Sequence, residues 1–251
     1  MITYLVLLAA GFSAGALNAV AGGGTFLSFP ALVWAGVPPI AANATATLAA
    51  LPGYIGSAWG FRHDLRSQGP LAIKAIIGLS ILGGLLGAML LLVTSEELFS
   101  AIVPWLLLLA TVVFASGPLI LKWIASFRDA GFGMLSSGAA VLAVAIYGGY
   151  FNGGLGIMLL AVLGLIGFTD LNAMNGLKNV VSAILSVVAV ATYIAAGLID
   201  WTYALPLAMS SAAGGYAGAA IARRITNPSV LRIFITSVGA AMTVAFFVSQ
   251  Q

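Results

Sequence analysis

Charged residues are almost absent from this chain, and where they occur they gather in short stretches separated by long apolar runs. Only 6% of the 251 residues are Asp, Glu, Lys or Arg, against about 25% in a soluble domain. That excludes an ordinary water-soluble fold. Apolar residues make up 62% and the mean hydropathy is +1.15, so the runs read as spans of a polytopic membrane protein. A span takes about 20 apolar residues, so the chain holds at most about ten of them and almost no extramembrane domain. Any function must therefore be carried out inside the bilayer. There is no Cys and one His, which removes thiol nucleophiles, disulfides, iron-sulfur clusters and His-rich metal sites. No cofactor and no metal are expected. A net charge of +3 is too small to point to nucleic acid, and its meaning lies in where the positive charges fall.

The apolar runs between charges or Pro/Gly/Asn punctuation are 2–21, 25–36, 40–60, 71–93, 98–121, 132–152, 155–168, 173–199, 201–221 and 229–249. The first lacks the basic start of a secretory signal and is taken as structure. Shifting the chain on itself by 131 to 132 residues places Gly22 and Gly24 on Gly154 and Gly156, and Asn43 on Asn175. The same shift places the run from Gly83 to Ala88 on that from Gly214 to Ala219. One duplication explains these coincidences. It divides the chain into a first membrane repeat (1–121), a cytoplasmic linker (122–131) and a second membrane repeat (132–251).

Charge placement relates the halves. With an odd number of passages per half, Arg62, Arg66, Lys74, Lys122, Arg128, Arg223, Arg224 and Arg232 share one face. The opposite face then carries Glu96, Glu97 and Asp200 and no basic residue. An even number would spread the same eight across both sides, against the positive-inside tendency. The expected fold is an all-α polytopic membrane protein of two inverted-topology repeats, about five helical segments each. The basic face lies in the cytoplasm and both termini lie outside. The second segment of each half is short: 12 helical residues rise about 18 Å, against a hydrocarbon core of about 30 Å. These segments are broken, re-entrant or strongly tilted helices.

Between the first two segments lie Asn18, Gly22, Gly23, Gly24 and Thr25, and at the corresponding place Asn152, Gly153, Gly154, Leu155 and Gly156. Consecutive glycines are costly in a helix. A break there is expected to expose the N–H groups that begin Thr25-Phe26-Leu27 and Leu155-Gly156-Ile157. Irregular backbone at membrane depth is tolerated only against protein or a water-filled cavity. Paired broken helices in inverted halves point to a transporter's midplane site, where helix N-termini favour an anion. Plain close packing through small residues is the competing reading, and it also suits the Gly83/Gly87 and Gly214/Gly218 faces, within the chain or in a homo-oligomer.

The third segment of each half opens with a second polar group: Asn43, Thr45 and Thr47 in one, Asn172, Asn175, Lys178 and Asn179 in the other. On a helix Asn175, Lys178 and Asn179 share a face. Lys178 is the one basic residue outside the cytoplasmic loops, and an intramembrane charge is a functional candidate with an anion as its natural partner. Its alternatives are snorkelling and pairing with Asp170. The first half has Ala46 at that position, so any charge role is asymmetric. His63 and Asp64, beside Arg62 and Arg66, mark the cytoplasmic interface. No enzyme is expected: a serine intramembrane protease needs a membrane-embedded His, a metalloprotease needs His-Glu-x-x-His, and Asp170 and Asp200 lie at segment edges.

The run from Ala21 to Leu32 (AGGGTFLSFPAL), the stretch from Gly36 to Thr45 (GVPPIAANAT), Gly153-Gly154-Leu155-Gly156 and the stretch from Leu171 to Asn179 resemble the sulfite exporter TauE/SafE family, over nearly the whole chain. The second copy departs from the first where Leu155 interrupts the glycines. The resemblance implies an inner-membrane transporter of small sulfur-containing anions such as sulfite or organosulfonates, multi-pass and all-helical. Joined to the residue reading, it gives an alternating-access exporter whose site draws on both glycine breaks and on Asn18, Thr25, Asn43, Asn152, Asn175, Lys178 and Asn179. A passive anion channel is the alternative, and polar positions concentrated at two levels favour the carrier. The expected partners are a small anion and the lipid bilayer.

Overall fold

In hydrocarbon each backbone N–H and C=O must find its partner within its own segment, which makes the apolar runs helices. The computed structural model describes residues 1–20, 22–60, 62, 65–126, 133–222 and 228–248, and these form ten helices and no strand. They are α1 (Ile2–Val20), α2 (Thr25–Trp34), α3 (Pro39–Gly60), α4 (Ile73–Leu92), α5 (Glu96–Ser126), α6 (Met134–Tyr150), α7 (Leu155–Leu165), α8 (Leu171–Ala195), α9 (Trp201–Ala222) and α10 (Pro228–Val248). His63, Asp64, Arg128, Arg223 and Arg224 lie outside the described residues, as do the side chains of Lys122, Asn172 and Arg232. Four stretches are long and apolar enough to cross a membrane: Ile2–Ala19, Ile73–Leu92, Glu96–Gly117 and Ala173–Ala195. The chain is a polytopic, all-helical membrane protein. Helices α2 and α7 have 10 and 11 residues, a rise of about 15 to 17 Å, so neither spans the core alone.

Several boundaries differ by a few residues from the sequence expectation, and two bear on the argument. The third segment is expected to start at 40, but Pro39 is the first residue of α3. A proline at that position sacrifices only an N–H that would be unsatisfied anyway. Helix α5 runs on to Ser126, so residues 122–126 of the expected linker are helical, and 127–131 lie outside the described residues.

Packing is symmetric under exchange of α1–α5 with α6–α10. Helix α1 packs on α9 and its counterpart α6 on α4; α3 packs on α9 and α8 on α4; α3 meets α8, and α5 meets α10. Two of these seams are backbone-close. A Cβ on Gly214 would run into the Phe12 carbonyl, and one on Gly218 would lie 2.6 Å from the Ala16 Cα. On the other seam, a Cβ on Gly87 would run into the Ile146 carbonyl and one on Gly83 would lie 2.5 Å from the Ala145 Cβ. The Gly83/Gly87 and Gly214/Gly218 faces thus serve packing within the chain, because without a hydrophobic drive between helices in lipid, close approach through small residues supplies the attraction.

Helices α3 and α8 run antiparallel. The Asp200 N–H, just beyond α8, donates to Thr45 Oγ1 near the start of α3 at 3.0 Å. Gln68, beyond α3, accepts from the N–H groups of Thr169 and Asp170 at the start of α8, at 2.8 and 3.3 Å. The apolar core has two main parts, one around Phe26, Phe29, Phe99 and Tyr150, the other around Leu155, Leu159, Met174 and Val181.

Candidate functional site at the two helix breaks

Both breaks form where the glycines stand. Helix α1 stops at Val20 and α6 at Tyr150, and the turns that follow use Gly22 at φ +77° and Gly154 at φ +72°, a left-handed region open to glycine without a Cβ penalty. These two glycines are 132 residues apart, so the same position of each half bends the chain. Helix α2 then restarts at Thr25 and α7 at Leu155.

The breaks touch each other. A Cβ on Gly22 would sit 3.1 Å from the Gly156 Cα, and one on Gly156 would sit 3.1 Å from the Gly22 Cα and 3.5 Å from Lys178 Cδ. The lysine side chain therefore lies along the crossing of the two breaks. Lys178 is 2% exposed, and no hydrogen bond or ion pair joins it to a described residue. An unpaired ammonium at the centre of a bilayer costs about 2.5–3.5 kcal/mol by insertion scales.

Asparagines brace each break differently. Asn18, in the last turn of α1, accepts the Gly24 N–H at 2.8 Å across the first break, while its Nδ2 is buried with no partner. Asn152 accepts from the Tyr54 hydroxyl at 3.4 Å and donates to Ser186 Oγ at 3.5 Å, joining α3 to α8 through the second break. The Tyr147 hydroxyl donates to the Gly153 carbonyl at 2.6 Å. The expectation of free N–H groups needs correction: those of Phe26, Leu27, Leu155 and Ile157 bond to Gly23, Gly24, Asn152 and Gly154 carbonyls in tight first turns. Short turns at a helix start recruit nearby carbonyls before any ligand can.

Of the polar residues at the start of α3, Asn43 donates to the Tyr150 carbonyl at the end of α6 at 2.9 Å and leaves its Oδ1 unpaired. Thr47 donates to the Asn43 carbonyl at 2.8 Å. On α8, Asn175 is half-buried and Asn179 is 1% exposed with an unpaired Oδ1. Sequence reasoning missed Tyr54, Ser182 and Ser186. The signal was present, because the 132-residue shift carries Asn43, Thr47, Ala50 and Tyr54 onto Asn175, Asn179, Ser182 and Ser186, an i, i+4, i+7, i+11 face on each helix. Among the described residues no three His, Asp or Glu gather as a metal site would require.

Asn18→Ala removes the one side-chain acceptor of the Gly24 N–H. It should lower unfolding stability by about 1 kcal/mol, as loss of a helix cap does. A thermal melt in detergent checks this against Ser28→Ala, whose hydroxyl makes only a 3.4 Å bond to the Gly24 carbonyl.

The chain is similar to proteins named as membrane transporters. A "Probable membrane transporter protein" of Haemophilus influenzae is 29% identical over 216 residues, covering 85% of this chain and 83% of that protein. A "Probable membrane transporter protein ORF9" of Sinorhizobium is 31% identical over 116 residues, 45% of this chain and 42% of that protein. The family model described as "Sulfite exporter TauE/SafE" matches residues 7–246, from within α1 to within α10 and through both breaks. The chain thus belongs to the sulfite exporter TauE/SafE family of membrane transporters.

Proposed function

We propose that the protein exports small sulfur-containing anions, sulfite or organosulfonates, across the bacterial plasma membrane by alternating access about a site at the crossing of the two glycine breaks. The observation that carries this reading is Lys178: a buried lysine with no counter-ion among the described residues, laid against the Gly22–Gly156 contact. An anion is the partner that such a charge lacks. The unpaired Nδ2 of Asn18, a donor, suits replacement of an oxyanion's hydration, and Gly23, Gly24, Thr25, Gly153, Asn43, Asn175 and Asn179 complete its surroundings.

The halves are inverted repeats in this reading. Support comes from the antiparallel α3 and α8 and from packing that survives exchange of the halves. A two-fold of that kind lets one half rock against the other about a fixed midplane site. The family's description as a sulfite exporter supports both the anion class and the direction. With the basic loops in the cytoplasm both termini lie outside, and an anion leaving a negative interior moves down the membrane potential.

Thermal stability of the detergent-purified protein, measured against sulfite, sulfoacetate, thiosulfate, sulfate and neutral amino acids, tests the reading. A ligand that binds only the folded state raises apparent stability by about 2.7 kcal/mol at 100 times its Kd. One or more sulfur oxyanions should shift the transition and the neutral solutes should not. Stabilisation by a neutral solute or cation alone would end the anion assignment, and an unsaturable anion conductance in liposomes would put a channel in the carrier's place.

A further inference from the structure

Four buried hydroxyls bond to a carbonyl one turn back. Ser28, Thr47, Ser80 and Thr243 donate to the carbonyls of Gly24, Asn43, Ile76 and Gly239. Ser182 does not: it is 0% exposed, and its Oγ has no partner. Thr111, the other buried hydroxyl without a partner among the described residues, lies against Gly239 at the α5/α10 contact.

Ser182 stands four residues after Lys178 and three after Asn179, so the three side chains share one face of α8. All three are at least nine-tenths buried. No hydrogen bond or ion pair joins the ammonium to a described residue, Ser182 Oγ is unpaired, and Asn179 leaves its Oδ1, an acceptor, unpaired. A dry interior seldom keeps polar groups unsatisfied, and each one left so costs about 1–3 kcal/mol. The ammonium and the hydroxyl, one turn apart, are both donors and are accounted for together if an anionic ligand fills their bonds.

The other half has no such group. At the positions 132 residues earlier stand Ala46, Thr47 and Ala50, and the Thr47 hydroxyl is already bonded to the Asn43 carbonyl. Two-fold packing therefore presents two equivalent faces, and at these three positions only α8 has spare donors; the unpaired atom on the α3 face is Asn43 Oδ1, an acceptor.

Resting on the anion-transport reading, we propose that Lys178, Asn179 and Ser182 form a one-sided oxyanion seat on α8, and that Ser182 is the residue that sets how tightly the oxyanion group is held. The ammonium supplies charge. The Ser182 hydroxyl and the Asn179 Nδ2 donate to the oxygens, and the matching α3 positions, Ala46 and Ala50, offer the ligand no polar contact. One anion is bound per chain.

Calorimetric titration of the purified full-length protein with sulfite and sulfoacetate tests this, using wild type, Ser182→Ala, Ser182→Thr and Ala50→Ser. Losing one hydrogen bond to a charged group should weaken anion affinity about ten-fold in Ser182→Ala. Ser182→Thr, which keeps the hydroxyl, should retain most of the affinity, Ala50→Ser should match wild type, and the stoichiometry should be one. Without anion, Ser182→Ala should unfold at the same temperature as wild type or higher, since an unsatisfied buried hydroxyl has been removed. A lower unfolding temperature would assign the hydroxyl to the fold and overturn the proposal, as would unchanged affinity in Ser182→Ala while wild type binds. If wild type binds neither anion, the transport reading itself fails and this seat falls with it.

Discussion

Lys178→Gln should lose anion binding by about 100-fold or more while raising the melting temperature of the anion-free protein. Both effects come from the same physical situation. The ammonium is buried at the contact of the two breaks and has no counter-ion among the described residues, so the empty protein bears its desolvation cost in full. Removing the charge relieves that cost, of order 2.5–3.5 kcal/mol on insertion scales. With an anion in place, the charge is half of a buried pair, and truncating one partner of such a pair costs about 2–5 kcal/mol, or about 30-fold to several thousand-fold. A structural lysine behaves oppositely: its loss lowers stability and leaves anion binding alone. Melting curves with and without sulfite separate these outcomes, and Lys74→Ala, an exposed lysine at the start of α4, should alter neither. Equal loss of binding in the two variants would remove Lys178 from the site.

Gly214→Val is expected to prevent folding altogether. The added Cβ would run into the Phe12 carbonyl oxygen and lie 2.8 Å from the Phe12 Cα. These are backbone atoms of α1, with no flexible side chain that can turn aside. The α1/α9 seam can accept the valine only by parting. In lipid the separated surfaces gain no hydrophobic compensation, because the attraction was close packing itself. Overpacking usually costs about 1–3 kcal/mol when neighbours can adjust; here they cannot, and the loss should exceed that range. Gly83→Val, at the matching place on the α4/α6 seam, meets the Ala145 Cβ at 2.5 Å and the Ile146 backbone N at 3.0 Å and should fail in the same way. Gly78→Val has nothing within 4 Å of its Cβ and should give a monodisperse peak on size-exclusion chromatography in detergent. A folded Gly214→Val protein would show that the seam is not the close contact described.

Much of this architecture is legible in the chain because its causes are local. An apolar run in a membrane must be a helix, and it breaks at Gly22-Gly23-Gly24 and at Gly153-Gly154, while Gly83-Gly84 and Gly214-Gly215 stay helical. Hence Val20, Thr25, Tyr150 and Leu155 mark helix ends within a residue or two of the expected places. The starts of α2 and α7 were placed correctly, but the fate of their N–H groups was not. First-turn carbonyls take several of them, a short-range competition that composition does not reveal. Ser182 and Tyr54 lie on a periodic face that the internal shift exposes, yet nothing in the order of residues tells that the Ser182 hydroxyl would go unpaired while that of Thr47 is spent on its own helix.

The sequence by itself determined the solvent this protein lives in, the number and lengths of its helices, its two copies of one motif and the presence of a lone lysine in an apolar segment. Each follows from the transfer of side chains and backbone between water and hydrocarbon, which acts residue by residue. The tertiary structure alone decided that Gly22 meets Gly156, that Lys178 lies at that meeting without a partner among the described residues, and that the glycine faces are used within the chain. Those outcomes depend on contacts between residues more than 100 positions apart, and in membranes such contacts are set by shape complementarity rather than by the hydrophobic pattern that the sequence displays.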